Sequence, residues 1–200
     1  YSEKDSAGFF STMYKTYQAF MVLGCSFLII IVKLMAKLLF RYDFYTAWQF
    51  VPPLLISVIF GALTGFLGSI CLAHKDSKSM GIATGIGAAV NVVLNLLMVP
   101  RMGAMGAAIA TAVSYFVMYF MAFWVVRKYV VLEVHLKRDY LAYMLVIIQA
   151  VLVILEAAYA PLINAALFVL LLLLYFTETK EIIKKLLKTL RRNQTHENES

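Results

Sequence analysis

Six apolar segments, each about long enough to cross a lipid bilayer, constrain the fold of this chain more than any other feature of its sequence. A spanning helix needs about 20 mostly apolar residues to cross roughly 30 Å of hydrocarbon. The segments that qualify are 19–40, 51–73, 80–99, 104–126, 140–160 and 162–176. Alternating strand patterns are absent, and lipid accommodates only helices or closed barrels. The sequence therefore predicts an all-α fold, a polytopic integral membrane bundle of six transmembrane helices.

The composition supports the same interpretation. Hydrophobic residues make up 62% of the 200 residues and charged residues 14%, whereas a soluble domain has about half and a quarter. The excess apolar surface must face lipid, which excludes a cytosolic enzyme, a nucleic-acid-binding module and a disordered chain. Cys25 and Cys71 lie in apolar runs and are expected to be buried thiols. Because the chain starts at Tyr1 without a leader, we expect it to be a piece of a longer protein.

The basic residues predict the orientation of the bundle in the cell membrane. If six helices cross in order, fourteen of the 18 Lys and Arg residues fall on one side and four on the other. Basic residues are enriched in cytoplasmic loops, so both termini are predicted to be cytoplasmic. The fourteen are Lys4, Lys15, Lys75, Lys78, Arg127, Lys128, Lys137, Arg138, Lys180, Lys184, Lys185, Lys188, Arg191 and Arg192.

The segment 178–200 is predicted to be a cytoplasmic tail. Between 178 and 192, apolar residues fall on one helical face and basic residues on another. This pattern favours a helix lying on an anionic inner leaflet, and a solvated charged tail is the alternative.

Small residues are concentrated in the middle of the chain. Eight of the ten glycines fall between residues 61 and 106, and Gly61 with Gly65, and Gly81 with Gly85, are spaced by four. Such spacing lets membrane helices approach closely. We expect helices two to four to form a dense core and helices five and six to lie outside it, facing lipid.

Four polar side chains at membrane depth are candidate cavity or substrate residues. Asn91 and Asn95 share one face of helix three, where they either hydrogen-bond a neighbouring helix or line a polar cavity. Lys33 and Lys37 either extend toward the membrane surface or present a cationic face to a water-filled cavity, which would suit an anionic substrate.

The remaining polar residues indicate no catalytic chemistry. Glu156 is expected at the membrane interface rather than in a proton relay, and Gln149 is expected to make a packing hydrogen bond. His74, His135 and His196 are not spaced as metal ligands, and no glycine-rich phosphate loop is present. We therefore predict that the chain is not an enzyme and has no catalytic, cofactor or metal site.

Helices three and four carry a longer motif. It consists of Asn91, Asn95, Pro100, Gly103, Gly106, Ala107, Ala108, Ala110 and Thr111. This is similar to the pattern Asn-x3-Asn…Pro-x2-Gly-x2-Gly-Ala-Ala-x-Ala-Thr of the Wzx-type polysaccharide flippases, a branch of the multidrug/oligosaccharidyl-lipid/polysaccharide (MOP) exporter superfamily. The stretch 47–75, with Ala47-Trp48 and Val51-Pro52 at its start, resembles the same branch.

The resemblance implies that the chain is the C-terminal portion of a fourteen-helix transporter. Residues 1–126 then belong to its second lobe and 127–177 are two appended helices. Members of the family flip oligosaccharide carried on an isoprenoid pyrophosphate from the inner to the outer leaflet by alternating access. The implied partners are this lipid-linked substrate, the phospholipid bilayer and H⁺ or Na⁺ as a coupling ion, with no nucleic acid. The motif residues are implied to be architectural, serving close packing and the hairpin between helices three and four.

Three alternatives remain open. A drug or cation antiporter of the same superfamily would more often need a buried acidic residue in its cavity, and helices one to four contain none. A multi-span glycan polymerase or ligase would need a long external loop, which this chain lacks. The last alternative is a structural or assembly protein of the membrane.

Overall fold

The computed structural model describes residues 3–39, 42–157 and 159–180, and every regular element within these ranges is helical. The elements are α1 (Glu3–Leu39), a 3-10 helix (Tyr42–Phe50), α2 (Val51–Ala73), α3 (Ser77–Val126), α4 (Leu136–Ile154) and α5 (Ala160–Leu174). A short helical stretch, 176–180, follows a turn at Tyr175. The prediction of an all-α fold is confirmed.

Three helical stretches are long and apolar enough to cross a membrane, namely Gly8–Leu39, Tyr45–Ala73 and Ser77–Val126. The helix α5, Ala160–Leu174, is apolar but shorter. The predicted tail helix lies outside the described residues beyond 180.

Two element boundaries differ from the predicted segments. Helix α1 begins at Glu3, well before the predicted start at residue 19. The polar stretch 3–18 contains no proline or turn that would interrupt a helix. The predicted fifth segment ends early, because α4 stops at Ile154 and Glu156 adopts a positive φ of 51°. Helix α5 then begins at Ala160.

Helix α3 is a hairpin rather than one rod. Gly103 has φ 57° and ψ −137°, a non-helical conformation that reverses the chain and divides α3 into a first arm, 77–102, and a second arm, 104–126. The arms contact along their length: a Cβ added at Gly106 would lie 2.7 Å from the carbonyl of Met98, and one at Gly87 would lie 3.0 Å from the Cβ of Met118. The arms are therefore antiparallel, in close backbone contact.

The hydrophobic core includes more elements than the sequence predicts. Its buried side chains come from α1, the 3-10 helix, α2, the end of α3 with the loop after it, α4 and the end of α5, and include Ile29, Leu63, Val146 and Leu171. Helices α2 and α3 do pack extensively, yet the first arm of α3 is mostly exposed. The expectation that helices five and six lie outside the core is therefore wrong for α4, which buries one face. Small residues bring backbones together but bury little side-chain surface, so the larger side chains of α1, α2 and α4 form the core.

Candidate functional site

A groove between the two arms of α3 is the candidate site, and two of the motif residues, Asn91 and Thr111, line it. Its volume is about 420 Å³. Polar lining groups are contributed by Thr84, Asn91, Thr111, Ser114 and Tyr115, and apolar ones by Gly87, Ala88, Val92 and Met118. No charged side chain lines it, and no other described element closes it. The arrangement offers neutral hydrogen-bonding groups on an otherwise apolar helical hairpin.

The two asparagines hydrogen-bond to each other. Asn95 Nδ2 donates to the Asn91 backbone oxygen over 2.8 Å and to Asn91 Oδ1 over 3.0 Å. Both side chains are half-buried. Of the two, Asn91 contributes to the wall of the groove.

The motif residues that follow form the reversal and the second arm. Pro100 is exposed near the end of the first arm, and Gly103 makes the reversal. Ala108 and Ala110 are buried, and Ala107 accepts a 2.8 Å hydrogen bond from Thr111 Oγ1 through its backbone oxygen. This bond satisfies the Thr111 donor and leaves the hydroxyl oxygen as an acceptor toward the groove.

The glycines at four-residue spacing have different surroundings. A Cβ at Gly61 would lie 3.0 Å from the ring of Tyr115, so α2 and the second arm of α3 approach closely there. A Cβ at Gly65, Gly81 or Gly85 would meet nothing within 4 Å among the described residues. A packing role for these three stays a prediction.

Neither candidate lysine lines the groove. Lys33 Nζ lies 2.7 Å from Glu156 Oε1 and 4.4 Å from the ring centre of Trp48. This cluster joins α1, the 3-10 helix and the turn after α4. Glu156 is 64% exposed, and it compensates the charge of Lys33. Lys37 is exposed in the last turn of α1.

Gln149 connects three helices at the centre of the bundle. Its Oε1 accepts from Ser26 Oγ of α1 over 2.6 Å, and its Nε2 donates to the backbone oxygen of Asn164 in α5 over 3.0 Å. The side chain is fully buried. The prediction of a packing hydrogen bond at Gln149 is confirmed.

A second group of buried polar residues was not singled out by sequence analysis. Gln18 Nε2 donates to the hydroxyl of Tyr143 over 2.8 Å, and Tyr14 and Tyr119 share a 2.6 Å hydrogen bond. A glutamine preceded closely by two tyrosines, Tyr14 and Tyr17, was the available signal, but tyrosine is equally common at membrane interfaces. Only the packing of α1 against α4 shows that these tyrosines form buried hydrogen bonds and do not lie at a membrane interface.

The turn between α2 and α3 contacts the loop that follows α3. Asp76 Oδ1 accepts from the backbone N–H of Ser79 and caps α3, while Asp76 Oδ2 accepts a 2.6 Å hydrogen bond from the hydroxyl of Tyr129. These bonds favour the carboxylate and lower the pKa of Asp76 to about 2. The same contact with Asp76 raises the pKa of Tyr129. The His74 ring stacks on Tyr129 at 4.8 Å.

Within the described ranges, no three His, Cys, Asp or Glu side chains lie close enough together to hold a metal ion. The chain matches no protein-family model, no curated protein and no solved structure. The fold and the polar groups define a class: an all-α protein whose apolar helices indicate that it is embedded in a membrane.

Proposed function

We propose that the chain is part of a transporter that flips isoprenoid-pyrophosphate-linked oligosaccharide from the inner to the outer leaflet of the cell membrane. The observation that carries the proposal is the groove of α3, where two residues of the flippase-like motif, Asn91 and Thr111, contribute neutral polar groups. Sugars present hydroxyl groups, and carboxamide and hydroxyl side chains are suitable hydrogen-bond partners for them. The groove has such groups from Asn91, Thr111 and Ser114.

In this proposal the two arms of α3 are separate crossings, and α1, α2, α4 and α5 complete six. Fourteen basic residues then lie on the cytoplasmic side, which also holds both ends of the chain. A transported ion, H⁺ or Na⁺, supplies the driving force for alternating access. Lys33 belongs to the opposite, external side, where Glu156 neutralises it, so we assign it to the packing of α1 rather than to substrate binding.

A drug or cation antiporter is the second candidate function, and one observation favours it. Asp139 at the start of α4 is a carboxylate only 5% exposed, and buried acids bind cationic substrates or coupling ions. Asp139 does not line the groove of α3, however. A substrate bound in the groove would meet neutral groups, which favours glycan over a cationic drug.

Substitution of the groove in the full-length protein tests the proposal. Replacing Asn91 by Leu removes a hydrogen-bonding group at similar volume, and we expect lipid-linked repeat units to accumulate on the inner leaflet. Replacing the neighbouring Leu96, which is 71% exposed outside the groove, by Ala is the control and should leave export unchanged. Normal glycan export by the Asn91→Leu variant, at the wild-type protein level, would contradict the assignment of a glycan substrate. Loss of drug resistance with normal glycan export would support the antiporter.

A further inference from the structure

A cluster of charged and polar side chains outside the groove of α3 joins three elements at one end of the bundle. Gln18 comes from α1, Arg138 and Asp139 come from the first turn of α4, and Tyr175 and Glu178 follow α5. Arg138 Nη1 donates to Glu178 Oε1 over 2.7 Å and Arg138 Nε donates to Asp139 Oδ1 over 3.3 Å. The hydroxyl of Tyr175 points to the same Asp139 oxygen at 3.5 Å.

The cluster holds one positive and two negative groups away from solvent. The side chains of Arg138, Asp139 and Glu178 are 20%, 8% and 11% exposed. With both carboxylates ionised, a net charge of −1 would be buried, and an uncompensated buried charge is costly enough that the group neutralises instead. One further positive charge is therefore needed.

The distances indicate which carboxylate lacks compensation. The short contact of Arg138 goes to Glu178, and charge-assisted hydrogen bonds of that length are the strong ones. Both contacts to Asp139 lie at the long limit of hydrogen bonding. Asp139 is thus the group whose negative charge is poorly supported.

Three buried polar atoms in the same cluster have no hydrogen-bond partner among the described residues: the acceptors Gln18 Oε1 and Glu178 Oε2, and the donor Arg138 Nη2. Arg138 and Glu178 already form one ion pair through Nη1, so two of these three atoms belong to that pair. Gln18 is fully buried, and its Nε2 donates to the hydroxyls of Tyr143 over 2.8 Å and of Tyr175 over 3.4 Å. Burying an unsatisfied acceptor costs about 1–3 kcal/mol, so a further donor is favoured beside Gln18 Oε1.

We propose that this cluster is a buried proton-binding site, in which the Asp139 carboxylate takes up one proton from solvent and holds it as a neutral carboxylic acid. Uptake changes the net charge of the cluster from −1 to 0 and adds an O–H donor. A metal cation is disfavoured because the Arg138 guanidinium contacts the same carboxylate. The other titratable groups nearby are His135 before α4, Tyr143 within α4, Tyr14 of α1 and Tyr119 of α3. Arg127, after α3, lines a cavity together with Asp139, and its guanidinium lies over the ring of Phe123 at 5.2 Å.

The site stands independently of what the protein transports. Proton release would place an unbalanced charge where α1, α4 and the segment after α5 meet, so protonation and the packing of these three elements are linked. For a transporter of the proposed type this identifies H⁺, rather than Na⁺, as the ion that the described part of the chain binds.

Infrared difference spectroscopy of the full chain in a carbonyl-free detergent tests the site directly. At neutral pH we expect a carboxylic-acid C=O band that shifts when aspartate is labelled with ¹³C, and that Asp139→Asn abolishes. The control Glu133→Gln, at a side chain 80% exposed, should retain the band. The isotope shift in the unsubstituted protein gives the answer even where Asp139→Asn does not fold.

Three outcomes would overturn the proposal. They are the absence of any protonated aspartate at neutral pH, loss of the band in Glu178→Gln with retention in Asp139→Asn, and loss of the band on adding Na⁺ at constant pH. The last would assign the site to a metal cation. None of these readouts depends on glycan transport, so they fail or succeed separately from the proposed function.

Discussion

Gly103 is the single residue on which the hairpin of α3 depends. Its φ of 57° with ψ of −137° lies outside the regions open to residues that carry a Cβ. Glycine adopts it without steric cost. Pro100, three residues earlier, does not by itself reverse the chain, since it lies within the helical first arm.

We predict that Gly103→Ala destabilises the protein by about 1–3 kcal/mol, the usual cost of a non-glycine residue in such a conformation. The free energy of unfolding, measured by denaturant titration in detergent, checks this. Gly24→Ala is the matched control, because Gly24 is helical and a Cβ there meets nothing within 4 Å. It should be neutral or stabilising by up to about 1 kcal/mol. Equal effects at both positions would contradict the assigned role of Gly103.

Lys33 illustrates how a side chain at membrane depth is satisfied. Its ammonium group contacts both the Glu156 carboxylate and the face of Trp48, so its charge has a partner within the chain. The residue that pairs with it sits at a positive φ, a conformation that a non-glycine residue adopts only at some cost.

At the scale of elements, the turn between α2 and α3 is fixed by Asp76. Its carboxylate caps α3 through Ser79 and also holds Tyr129, so one side chain links two connections at the same end of the bundle. Both contacts require the ionised form, which is why the pKa of Asp76 falls to about 2.

The pH dependence follows from this shift. Because the folded pKa is below the unfolded value of 3.8, the stabilisation is fully present above about pH 4 and is lost as the pH falls toward 2. We expect the unfolding midpoint of the wild type to decrease over this window and that of Asp76→Asn to decrease less. Thermal unfolding at a series of pH values measures the difference. An identical pH profile for the two proteins would show that the contacts with Ser79 and Tyr129 do not depend on charge.

At the scale of the whole molecule, the loops lie at two opposite ends of the helical bundle. Lys37 lies near the end of α1, and α2 then runs for 23 residues, about 34 Å, before Lys75. Lys128 follows the second arm of α3 and lies at the same end as Lys75, since Tyr129 contacts Asp76.

Labelling with a membrane-impermeant maleimide tests this arrangement. Cysteine at position 37 (Lys37→Cys) should be labelled from the external side, and Lys75→Cys and Lys128→Cys from the cytoplasmic side. The unsubstituted protein is the control, because its own cysteines, Cys25 and Cys71, are buried and should remain unlabelled. Labelling of all three positions from one side would contradict a membrane-spanning α2.

The sequence by itself determined the helical class, the apolar character of the segments and the reversal near Gly103. It also predicted that Gln149 makes a packing hydrogen bond, whereas its partners, Ser26 and Asn164, were decided by the tertiary structure. Hydrophobic length and glycine conformation are local properties, so they can be interpreted from neighbouring residues alone. Only the tertiary structure decided that α4 joins the core, that Lys33 pairs with Glu156, and that Gln18 and Asp139 share one cluster. Each of these depends on which helix packs against which, because partners separated by more than a hundred residues meet only once the bundle has formed.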